Sequence, residues 1–97
     1  MSVFFKRSFV SYVKKAKKPL QLAIQDAVDL ICEQPRIGQA KSGDLAGVKV
    51  YKFRFQNQEY LVAYVATADL QTLEFIAIDF YKVGSHENFY AELKKQF

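Results

Sequence analysis

The sequence holds one cysteine and one histidine in ninety-seven residues. A single cysteine, Cys32, cannot close an internal disulfide, so no disulfide framework supports this chain. It lies among Ile24, Ala27, Val28 and Ile31, which predicts a buried structural thiol. One cysteine with one histidine also excludes the usual structural zinc sites. No Gly-rich phosphate loop is present, and no Ser/His/Asp set is recognisable. The apolar runs are far too short to span a membrane. No secretion signal, repeat or low-complexity tract is visible, and the expected location is the cytoplasm.

What is present is a small, apolar-rich, basic chain. Half of the residues are hydrophobic and 15% are aromatic, enough for one core across residues 1–97 and no second domain. A domain this small is marginal by itself, and a permanent partner would help it. The formal net charge is +4. That suits a nucleic acid or an acidic protein as partner, although many basic proteins bind neither.

Val3 to Phe5 predicts a short edge strand. From Ser8, the spacing of Phe9, Val13 and Ala16 predicts a helix. The run Lys14, Lys15, Lys17 and Lys18 suits its C-terminal end, and is also what a solvated helix end looks like. Pro19 is expected as the first residue of a second helix, whose apolar face is Leu20, Ile24, Ala27, Val28 and Ile31. Pro35 ends it, and the two helices form a hairpin. Arg36 to Gly47 is expected as a loop.

Three strands follow. Val48 to Phe55 alternates, with Tyr51, Phe53 and Phe55 on one face and Lys52 and Arg54 on the other. Gln56 to Glu59 is a polar turn and Tyr60 to Ala66 the next strand. Thr67 to Thr72 turns the chain into Leu73 to Tyr81. Gly84 is expected to break the pattern, with Ser85 as the N-cap of a last helix from about His86 to Lys95. Phe89, Leu93 and Phe97 would dock that helix. The expected class is α+β: a helical hairpin on an antiparallel sheet of three to four strands, a short C-terminal helix, and all helices on one face of the sheet.

Two clusters could carry chemistry. Lys49, Lys52 and Arg54 form the first. Lys52 and Arg54 share a face, where two cations side by side make sense over an anion or simply as a solvent face. His86 and Tyr90 form the second. A spacing of four places them on one side of the expected helix, near an N-terminus that favours phosphate. A surface histidine beside a rim tyrosine would read the same way. The inventory leaves chemistry by Lys, Arg, His and Tyr without a metal or other cofactor.

Four segments together resemble the RelE/ParE toxin superfamily of type II toxin–antitoxin systems, and in particular its mRNA-cleaving branch. They are Glu33-Gln34-Pro35-Arg36-Ile37-Gly38, Asp44-Leu45-Ala46-Gly47, Val50-Tyr51-Lys52-Phe53-Arg54-Phe55 with Tyr60-Leu61-Val62-Ala63-Tyr64, and Val83-Gly84-Ser85-His86 with Phe89-Tyr90. The resemblance implies a RelE-like domain with a basic concave sheet face that cuts mRNA in the ribosomal A site and inhibits translation. By that likeness Lys52, Arg54, His86 and Tyr90 are the catalytic set. Lys49 and Lys82 are further RNA-binding candidates. The partners implied are mRNA, the ribosome and an acidic, partly disordered antitoxin. One departure stands out: where the family often has Arg on the second meander strand, this chain has Leu61. The phosphate would then rest on Lys52, Arg54 and Lys82. Lys52 and His86 are both candidates for the base, and His86 is the better acid. The rival reading is a ParE-like gyrase poison without nuclease activity. Leu61 favours it, whereas Lys52, Arg54, His86 and Tyr90 oppose it.

Overall fold

The computed structural model describes residues 1–97. Strand β1 is Ser2–Phe5, and the chain then enters the two helices, α1 at Arg7–Lys15 and α2 at Lys18–Glu33. Phe9 on α1 and Ile24, Ala27, Val28 and Ile31 on α2 are buried, at the three-and-four spacing the sequence shows. The join is short because Ala16 leaves the helix in extended conformation and Lys17 is already the cap of α2. Pro19 falls one residue later than expected, still in the first turn, where its missing N–H has no helical partner to lose.

The remaining strands are β2 (Gln39–Ala40), β3 (Lys49–Phe55), β4 (Gln58–Ala68) and β5 (Phe75–Ser85), followed by α3 (Phe89–Lys94). They form one five-stranded sheet in the order β1-β5-β4-β3-β2. The pairs β2–β3, β3–β4 and β4–β5 are antiparallel, and β1 lies parallel to β5 at the edge. The sheet thus has one strand more than expected. The addition is β2, two residues pairing Gln39 with Val50 and Ala40 with Lys49. A two-residue strand is too short to show alternation.

Turn chemistry sets the strand lengths. Gln56 and Asn57 both have positive φ, 49° and 65°, so β3 and β4 meet through a two-residue hairpin turn rather than a four-residue one. At the other hairpin, Asp69 Oδ1 accepts the N–H groups of Gln71 at 2.8 Å and Thr72 at 3.0 Å. Those bonds hold the Asp69 carboxyl below its ordinary pKa. Strand β5 then runs four residues beyond the expected end, through Gly84 and Ser85.

Each face of the sheet carries its own core. On one, Phe9, Ile24, Ala27, Val28 and Ile31 of the helical hairpin meet Val62, Tyr64, Ile78, Phe80 and Val83. On the other, Phe89 and Leu93 of α3 meet Leu45, Val48, Val50, Leu61 and Ala63. The helices therefore do not share a face: α3 covers the side opposite α1 and α2. Phe97 lies beyond α3 and packs on Tyr81, ring centroids 4.6 Å apart. Cys32 is only half-buried at the margin of the helical core, and desolvation raises its thiol above the ordinary value. A raised thiol pKa makes a poor nucleophile near neutrality.

Tyr64 ties the post-helical loop to the sheet. Its hydroxyl accepts the Gly38 N–H at 2.8 Å and donates to the Pro35 carbonyl at 2.8 Å. A Cβ at Gly38 would lie 2.6 Å from that hydroxyl, so the residue there must be glycine. Burial pushes the Tyr64 phenol above its ordinary pKa, partly offset by the Gly38 N–H. Tyr64→Phe leaves two backbone groups without their partner. We expect a loss of about 1–3 kcal/mol, hence a lower Tm. Unchanged thermal melts would mean that water replaces the hydroxyl.

Candidate functional site

Strand alternation turns Val50, Lys52 and Arg54 to the α3 face, since Val50 packs with Phe89 and Leu93 while Tyr51 and Phe53 pack with the helical hairpin. Lys52 and Arg54 are both exposed. The sheet register sets their neighbours. Lys52 pairs with Leu61, and Leu61 with Gly84. Arg54 pairs with Glu59, and Ala63 with both Val50 and Lys82. Adjacent strands lie about 4.8 Å apart. The row thus runs from the exposed Lys52 on β3 to Leu61 on β4 and Gly84 on β5, both of which are buried. Arg54 Nη2 also donates to the Asn57 carbonyl at 3.1 Å, which steadies its guanidinium at the hairpin end.

His86 is not on the helix. It lies at an exposed bend after β5, and α3 begins only at Phe89, capped by Asn88 in left-handed conformation, φ 58°. The cause is Gly84. It stays in the ladder opposite Leu61, and Ser85 opposite Tyr60, so Ser85 is a strand residue rather than a helix cap. The helical spacing of His86 and Tyr90 is thus not what joins them. They meet all the same, edge to face, with ring centroids 5.9 Å apart and 71° between planes. The helix has six residues. A helix that short builds no anion site at its N-terminus, and that part of the expectation is withdrawn.

Tyr90 is half-buried against the α3 core and has a second neighbour, the Lys41 ammonium, 5.2 Å from its ring centroid. Of the three hollows on the surface, one, between α2 and β3, is bordered by Arg54, and none is lined by Lys52, His86 or Tyr90. The candidate site is therefore an open face, which suits a polymer better than an enclosed small molecule. No three His, Cys, Asp or Glu side chains gather as a metal site. No helix is long and apolar enough to cross a membrane.

A family model described as the ParE-like toxin of type II bacterial toxin–antitoxin systems matches residues 3–94. The chain belongs to that toxin family. Its fold is shared with solved toxin structures. A mutant of the E. coli toxin RelE in the free state superposes with a TM-score of 0.72 at 17% identity, covering 99% of this chain and 96% of that one. The intact E. coli RelBE toxin–antitoxin complex gives 0.64 at 16%, covering 89% and 96%. The isolated E. coli RelE toxin gives 0.62 at 16%, covering 98% and 96%. No curated protein gives a match.

In this toxin the expected phosphate contacts are distributed unevenly. Lys49 shares its alternation with Tyr51 and Phe53, so it turns to the helical side, away from Lys52 and Arg54. Lys82 is on the candidate face, but its side chain is only 15% exposed and its ammonium lies 2.8 Å from Glu92 Oε1. That contact holds the Glu92 carboxyl below its ordinary pKa. Leu61 is fully buried beneath α3. Lys52 and Arg54 thus remain as the free cations on β3. Sequence reasoning missed two residues near them. Lys41 lay in a stretch read as loop, and Glu59 in one read as turn. The register places Glu59 on the same face, directly across from Arg54.

Proposed function

We propose that the toxin is a metal-independent endoribonuclease that cuts mRNA at the ribosome. The observation that carries this reading is the pair of exposed cations, Lys52 and Arg54, on the face where His86 and Tyr90 meet edge to face. The reaction is transesterification. The ribose 2′-OH gives its proton to a base and attacks the adjacent phosphorus. The P–O5′ bond breaks, and an acid protonates the leaving oxygen. The products are a 2′,3′-cyclic phosphate and a 5′-OH.

His86 is the acid, because a protonated imidazole can hand a proton to the leaving oxygen from either ring nitrogen. Lys52 is left as the base, and must first give up its own proton. Arg54 stabilises the charge that builds on the phosphate, a role commonly worth ~10²–10³ in rate per donor. Tyr90 holds a base by stacking. The antitoxin is an acidic, partly disordered chain that folds as it binds, in the cytoplasm. The structural likeness to a toxin held in a toxin–antitoxin complex supports such a partner.

A second reading has its own support. The matching family model is ParE-like, and Leu61 removes a cation from the middle of the face. It holds that the toxin poisons DNA gyrase and cuts nothing. Brief induction without antitoxin separates the two. Growth arrest with discrete cuts in a reporter mRNA, seen by primer extension, is the expected result. Intact mRNA with double-strand DNA breaks would establish the gyrase reading. Normal growth at high levels of folded protein would remove both.

A further inference from the structure

We propose that Lys41 binds the phosphodiester next to the base held by Tyr90, supplying from the end of β2 the contact that Leu61 cannot supply from β4. The proposal rests on the ribonuclease reading and names a residue that reading does not use. The register puts Gln39 opposite Val50, so Gln39 and, two residues on, Lys41 face the same side as Lys52 and Arg54. Side-chain contacts agree: Lys41 Nζ lies 5.2 Å from the Tyr90 ring centroid and 3.2 Å from Gln39 Oε1.

The chain has two salt bridges, Lys6 with Asp79 and Lys82 with Glu92. Lys41 is in neither, and its one hydrogen-bond partner is a neutral amide. Its charge is therefore free for an anion, whereas that of Lys82 is engaged. Its half-buried stem fixes where the ammonium ends up. Tyr90 thus touches both, with the Lys41 ammonium over its ring and His86 edge to face with it. A single strand that stacks a base on Tyr90 carries a phosphate past Lys41. Lys52 and Arg54 lie on the same face, on the adjoining strand β3.

A cation that only props up Tyr90 would leave no electrostatic signature, and this separates the two roles. The probe is a short single-stranded RNA with 2′-O-methyl riboses, which cannot be cut because the attacking hydroxyl is blocked. Its binding is followed by fluorescence anisotropy across a salt series, with thermal melts beside it. Each phosphate contact contributes about 0.7 to the slope of log K against log salt for single strands. Lys41→Gln should lower that slope by about 0.7 and weaken binding at low salt. Lys41→Arg should keep it. Lys14→Gln, on the far side of the molecule, should leave it unchanged. An unchanged slope in folded Lys41→Gln, with the parent binding normally, overturns the proposal and leaves the ribonuclease reading intact. A parent protein with no salt-dependent RNA binding overturns both.

Discussion

His86→Gln should lower mRNA cleavage on programmed ribosomes by roughly 10²-fold or more, the usual scale for losing a positioned acid or base. Stability should hardly move. His86 is exposed, stands at a bend outside both strand and helix, and meets one ring, that of Tyr90. Exposed positions of this kind typically change stability by about ±0.5 kcal/mol. Gln keeps the length and a hydrogen-bonding end, and loses the imidazole that can give and take a proton. Cleavage assays paired with thermal melts therefore separate chemistry from folding. Should the variant cut as fast as its parent, His86 is not the acid. Lys52 and Arg54 would then have to carry the reaction, or the face has no nuclease activity.

How far the sequence discloses this arrangement depends on the period of each signal. Helix α2 repeats its apolar residues from Leu20 to Ile31 over enough turns to be unmistakable. In β3 the alternation of Tyr51 and Phe53 with Lys52 and Arg54 identifies both the strand and its exposed face. Gly84 misleads because glycine usually punctuates a strand. Here the ladder partners Leu61 and Tyr60 keep Gly84 and Ser85 extended, a tertiary effect that local propensity does not contain. The helix consequently starts three residues later than its sequence suggests, and His86 meets Tyr90 from a bend rather than along a helix face. Lys82 looks like a free cation until Glu92, ten positions on, folds back against it. Lys49 joins its neighbours in sequence and leaves them in space, because adjacent strand residues face opposite ways. Lys41 becomes visible only once the two-residue strand β2 is known.

Restoring the family's arginine should not restore the family's site. Leu61→Arg should cost several kcal/mol and unfold much of the protein under conditions where the parent is stable. Leu61 has no exposed surface and packs in the same core as Phe89 and Leu93 of α3. Removing it loses about 1.5–3 kcal/mol of burial. The arginine would enter that core without a counter-ion, a further penalty of several kcal/mol per ion. Its cross-strand neighbour is Lys52, and the rows on either side hold Lys82 and the Arg54–Glu59 pair, so cations outnumber the acid Glu59 among these neighbours. A second acid, Glu92, already serves Lys82. For a domain of this size each kcal/mol lowers Tm by about 4–8 °C, so a fall of well over about ten degrees is the expected result. A Leu61→Arg variant that melts with the parent would mean that α3 lifts from the sheet at little cost. The face would then be open in solution, and the introduced guanidinium would strengthen RNA binding rather than damage the fold. That outcome would make α3 a mobile cover over Leu61. The expected result instead makes Leu61 part of the structural core.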